Sequence, residues 1–177
     1  IVSFVGAMHG KTLGALMVGG KTKEKHWIVN HDPDMHHLPF PKDSSGDEVF
    51  HENMKQLEQS GVDLSTIAAF MVEPIVGTSM SGVVPPPEYY GLIREICDQY
   101  DILLIVDEIM TGIGRTGKKW GIDHWDVTPD IITSSKGISG GYAPLGAVIL
   151  GEKVWKPIQG GSGEVTYGST YGGNPLS

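Results

Sequence analysis

Cysteine occurs once in the 177 residues, at Cys97, so no internal disulfide can form and nothing in the chain asks for an oxidising compartment. Positive charge is also scarce. The 13 Lys and Arg stand against 21 Asp and Glu, a formal net charge of −8. That deficit excludes the broad basic face with which a protein holds duplex DNA or an anionic membrane. Apolar runs are short: residues 102–106 (ILLIV) fall far below the roughly 20 residues of a membrane-spanning helix. No basic stretch followed by an apolar segment opens the chain, so no signal peptide is expected, and a cytoplasmic location follows as the expectation. Internal repeats and low-complexity tracts are missing as well. His26, His31, His36, His37 and His51 match no closed zinc spacing and have no cysteine beside them, so they read as solvated side chains.

What is present is an ordinary globular composition with an excess of one residue. Hydrophobic residues make up 40% of the chain, and the length fits a single domain with a real core. The 25 glycines are about twice the usual ~7% share and follow no collagen-like period, so they read as loops crowding a site. Residues 1–5 predict a short buried strand, and residues 21–42, rich in His and Pro, predict a surface excursion. Residues 47–59 predict a helix with Phe50, Met54 and Leu57 on one face. A strand at 67–72 ends in Glu73-Pro74. Pro85, Pro86 and Pro87 then introduce a helix whose apolar face is Tyr89, Ile93, Ile96, Cys97 and Tyr100. The strand ILLIV is apolar throughout, as a parallel strand covered on both faces should be, and runs into Asp107-Glu108. Strand, helix, strand is a βαβ unit, which predicts an α/β fold with a mostly parallel sheet flanked by helices.

Ligands of such sheets sit beyond the carboxyl ends of the strands. Glu73 and Asp107 both fall there, either as functional acids or as caps of neighbouring segments. Lys136 follows another short apolar run, among small residues in SSKGIS. A partly buried amine there would lose pKa through desolvation and become a nucleophile; the plain alternative is a solvated loop cation. The run GIGRTG matches GxGxxG but has no strand directly before it and no evident helix after it, so it is a weak dinucleotide signal. Trp120, Trp125 and Trp155 read as core or interface packing.

Taken together and in order, VEPIVG, LLIVDEIMTGIGRTGKKWG, PDIITSSKGISGGYAPLGA and YGSTYGGNP resemble the class III aminotransferases, a pyridoxal-phosphate family of fold type I. The spacings are 34 residues from Glu73 to Asp107 and 29 from Asp107 to Lys136, and the resemblance covers practically the whole chain. It implies that Lys136 forms the Schiff base with pyridoxal 5′-phosphate and then shuttles the proton as general base and acid. It implies that Asp107 pairs with the pyridine nitrogen, making the ring an electron sink. Ile109 would pack on one ring face and Glu73 would lie near the phenolic oxygen. Thr170 would reach a phosphate oxygen in the partner subunit's site, and Arg115 would tie down the GRTG turn.

Two positions depart from the common pattern. Met8, before His9-Gly10, stands where an aromatic ring usually stacks, and Met110 stands where some members carry glutamine. The family's phosphate-binding turn precedes the first strand and its small domain follows the large one. Residues 1–177 are therefore expected to be the central part of the large domain. The resemblance implies a homodimer with shared sites, and transfer of an amino group from an ω-amino acid or primary amine to a keto acid. Aminomutases and racemases of the family use the same lysine and ring partner, and a truncated, non-catalytic folding or dimerisation unit is the reading from outside enzymology.

Overall fold

A computed structural model describes residues 1–42, 45–77 and 80–177. Its frame is a six-stranded sheet with the order β2-β1-β3-β4-β5-β6. In chain order the elements are β1 (Val2–Phe4), helix α1 (Leu13–Val18), β2 (His36–Leu38), helix α2 (Gly46–Gln59), β3 (Ala69–Val72), helix α3 (Tyr89–Gln99), β4 (Leu103–Asp107), β5 (Ile131–Ser134), β6 (Ala147–Leu150) and helix α4 (Glu152–Gly160). Pairing is parallel from β2 through β5, with Phe70 opposite Leu104 and Val106 opposite Ile132. Only the β5–β6 pair is antiparallel among the described strands, with Thr133 opposite Val148.

α3 forms because Tyr89, Tyr90, Ile93 and Cys97 recur at helical spacing and are buried together, with Ile96 and Tyr100 packed beside them. It covers β3 and β4 and lies against α2. Its entry is stitched to the start of α2, where the Gly46 N–H donates to Glu88 Oε1 at 2.8 Å. The prolines lie just ahead of this helix instead of inside its first turn; the Tyr89 N–H closes a turn on the Pro86 carbonyl. Burying a side chain such as Ile93 or Leu104, each at most 1% exposed, contributes about 1.5–3 kcal/mol. Edge-to-face rings extend this core from Phe40 through Phe4, Tyr89 and Tyr90 to Trp125, the last pair 5.0 Å apart. Trp120 also packs on the core, whereas Trp155 is 42% exposed.

Three expectations need correction. Residues 21–42 are not wholly an excursion: His36–Leu38 add an edge strand to β1, and Leu38 is buried. His37 is accordingly half-buried, not solvated, because β2 carries it inward to Lys25. β4 is fully covered on one face only. Leu104 and Val106 point under α3, while the alternate residues Leu103 and Ile105 stay half-buried.

Candidate active site

Four neighbouring strands deliver one functional group each to the same rim of the sheet. The turn after β1 carries Met8 and His9, Glu73 directly follows β3, β4 ends in Asp107, and Lys136 follows β5 with Ser135 between them. Ile109 and Met110 come from the turn after β4. Together with Gly10 these seven side chains line one cleft of about 120 Å³.

Asp107 is 5% exposed and doubly anchored. Its Oδ1 accepts the Ile109 N–H at 3.1 Å, and its Oδ2 lies 2.9 Å from His9 Nδ1. A carboxylate only accepts, so the imidazole donates from Nδ1, which leaves Nε2 buried without a partner. Glu73 accepts the Met8 N–H at 3.2 Å on Oε2, and its own backbone carbonyl takes the Tyr90 hydroxyl at 2.6 Å. Burial pushes the Glu73 carboxyl above the ordinary range, a rise opposed by the Met8 N–H and by His9. Met110 fits against this wall because position 77 is glycine: a Cβ there would stand 2.8 Å from the Met110 sulfur.

Lys136 opens a 3₁₀ turn with φ of +47° and is exposed at the edge of the cleft. The expectation of a partly buried amine is thereby corrected. Its neighbours on the turn, Gly137 and Gly140, have no side chains with which to cover it. Thr170 lies elsewhere, in an exposed turn closed by the Gly172 N–H on the Ser169 carbonyl, and lines no part of this cleft.

The sequence reading missed Glu108. It is fully buried, accepting the Thr111 hydroxyl and the Gly121 N–H (2.9 Å) on Oε2 and the Ile122 N–H (2.8 Å) on Oε1. This carboxylate closes the glycine loop of residues 108–122 into a fixed wall behind Asp107. Arg115, expected to tie that loop down, instead points an exposed side chain to solvent. The only available signal was a second acid directly after Asp107 at the end of a buried strand. Among the described residues no group of three His, Cys, Asp or Glu side chains could hold a metal ion.

A buried carboxylate bonded to imidazole, apolar side chains on either side and an amine at the mouth form a cleft suited to a flat, basic, carbonyl-bearing ring. The comparisons with known proteins agree with that chemistry. The family model described as Aminotransferase class-III matches residues 1–177. An uncharacterised aminotransferase, YodT, of Bacillus subtilis (strain 168) is 35% identical over 96% of this chain and 40% of its own length. A solved transaminase from the marine bacterium Virgibacillus superimposes with a TM-score of 0.90 at 34% identity, covering 99% of this chain and 39% of that one. An amine transaminase from an uncultivated Pseudomonas species, solved in its PLP-bound form, gives 0.89 at 33% identity, with 99% and 42% covered. The chain therefore spans about 40% of the length of the curated relative it matches, and it belongs to the class-III aminotransferase family.

Proposed function

We propose that the protein carrying this chain is a pyridoxal 5′-phosphate-dependent transaminase that moves an amino group from an ω-amino acid or primary amine to a keto acid. The observation that carries this reading is the meeting of Lys136, Asp107 and Glu73 in one cleft, from three strands and with 63 positions of chain from Glu73 to Lys136. The residues present fit the cofactor's ring: a buried carboxylate for the pyridine nitrogen, Met8 and Ile109 as apolar walls, and an amine for the aldehyde. When bound, pyridoxal phosphate supplies a protonated ring that accepts electron density from the substrate.

This chain's residues do the rest. Asp107 holds the proton at the ring nitrogen, and His9 donates into the same carboxylate and fixes its orientation. Lys136 would hold the aldehyde end of the cofactor, and its amine would move a proton at the substrate α-carbon. Glu73, kept toward its neutral form by burial, orients the ring's phenolic oxygen. Met110, a weak acceptor, takes the position beside it. Thr170, exposed and away from its own cleft, donates to the phosphate of the neighbouring subunit, so the protein works as a homodimer with shared sites. Residues 1–177 form the central part of its cofactor-binding large domain, a reading supported by the roughly 40% share of the relative's length. Among the described residues no helix is long and apolar enough to cross a membrane, and with the single, buried thiol of Cys97 we place the protein in the cytoplasm.

Borohydride reduction of the full-length protein followed by peptide mapping tests the assignment. The label belongs on Lys136, and a label on Lys118 or Lys119 overturns it. Dependence of turnover on an added keto acid separates transamination from isomerisation within one substrate.

A further inference from the structure

A lysine is buried far from Lys136. Lys25 is 7% exposed, at the end of the turn Thr22–Glu24; its Nζ donates to the Met17 carbonyl at 2.8 Å and lies 3.1 Å from His37 Nε2, which itself donates to the Val18 carbonyl at 3.0 Å. Both partners are neutral. An ammonium carries three donors, and the Met17 carbonyl takes one of them, so two remain. No carboxylate among the described residues pairs with it. Glu24, its neighbour in the chain, turns instead to Lys21 at 3.6 Å and Lys11 at 3.9 Å. A buried charge without a counter-charge is costly, and here desolvation alone pulls the amine below the ordinary lysine value. Beside it opens a cavity of about 380 Å³, lined by Thr22, Lys25, His26, His31, Asp32 and His37. His26 donates from Nδ1 to the Lys23 carbonyl at 2.9 Å, which leaves its Nε2 for other partners.

We infer that this cavity binds the carboxylate group of a small molecule on the Lys25 ammonium, with the Thr22 hydroxyl beside it. The missing counter-charge calls for an oxyanion. Asp32, which also lines the cavity and accepts the Asp34 N–H at 3.0 Å, repels a second negative charge and so favours a monocarboxylate over phosphate. The site shares no residue with the cleft that holds Asp107 and Lys136.

Calorimetric titration of the full-length protein with acetate and, separately, with inorganic phosphate tests the inference. Acetate should bind saturably and more tightly than phosphate. Lys25→Met should weaken acetate about tenfold or more, as loss of one charged hydrogen bond requires, and Lys25→Arg should recover most of that loss. Thr22→Val, at an exposed position, should weaken acetate severalfold with an unchanged far-UV spectrum, which keeps the test open if Lys25→Met does not fold. Saturable acetate binding that none of these variants alters overturns the inference. So does tighter binding of phosphate, or a wild-type protein that binds neither anion because an acidic side chain from elsewhere fills the cavity.

Discussion

Replacing Glu108 by Gln should show whether that carboxylate holds the loop behind Asp107. The wild-type side chain receives two donors on Oε2 and one on Oε1, all in a fully buried setting. Glutamine keeps one acceptor oxygen. Set at the Oε2 position, it retains the Thr111 hydroxyl and the Gly121 N–H as neutral bonds, each weaker by about 1 kcal/mol than a bond to a charged group. Its amide nitrogen then faces the Ile122 N–H, and one buried donor without an acceptor costs about 1–3 kcal/mol. The sum is roughly 3–5 kcal/mol, which for a domain of this size lowers the melting temperature by about 6–20 °C. Thermal unfolding followed by circular dichroism reads the shift, with Arg115→Ala as the comparison because that side chain is exposed. Arg115→Ala should leave the midpoint within about 2 °C of wild type, as a surface substitution does. If Arg115→Ala melts early and Glu108→Gln does not, the loop is tied down by the arginine and the account of Glu108 is wrong.

Asp107→Asn keeps the shape of the side chain but removes the charge, and should lower kcat by about 100-fold, near 3 kcal/mol of preorganised stabilisation; steady-state kinetics with near-normal turnover would transfer the role to Glu73. Glu73→Gln tests the buried acid through pH. Because burial raises its folded pKa, the wild-type carboxyl stabilises the fold fully below the ordinary glutamate value of 4.5 and loses that contribution as pH rises through the folded value. Urea midpoints should therefore favour the Gln variant increasingly as pH climbs from 4.5 towards 7, and a pH-independent difference would contradict the shift. Mixed dimers of Thr170→Ala and Lys136→Ala subunits should regain about half the wild-type activity per dimer, since one of two shared sites is then intact; activity no higher than in either parent refutes the cross-subunit role of Thr170.

The central βαβ unit was legible because its signals are local. The spacing of Tyr89, Ile93 and Cys97 marks α3, an unbroken apolar run marks β4, and the rule that ligands gather beyond the carboxyl ends of parallel strands picks out Glu73 and Asp107. The edge strand was not. Three residues, His-His-Leu, are too few to show alternation, and what makes them a strand is pairing with β1, more than thirty positions earlier. α1 was missed for a similar reason: six residues containing a glycine give less than two turns of periodicity. Glu108 could not be told from Asp107 by type, and its partners at 121 and 122 lie across a loop whose conformation the sequence does not declare. Lys136 was picked out through the family resemblance and lines the cleft, while its exposure depends on the glycines around it and on a backbone at positive φ.

The order of strands that assembles the cleft also sets when it can exist during folding. His9, Glu73, Asp107 and Lys136 come from chain positions spread over most of the sequence, and each is fixed by parallel pairing of β1, β3, β4 and β5. Parallel pairs cannot form through a tight turn and must wait for the crossover segment between them, so these contacts are of high sequence separation and form slowly. A collapsed chain with α2 and α3 already helical would still lack the cleft until all four strands had come into register. Recovery of cofactor absorbance in a refolding experiment should then trail recovery of helical ellipticity, making the cleft a reporter of the last cooperative step of sheet assembly.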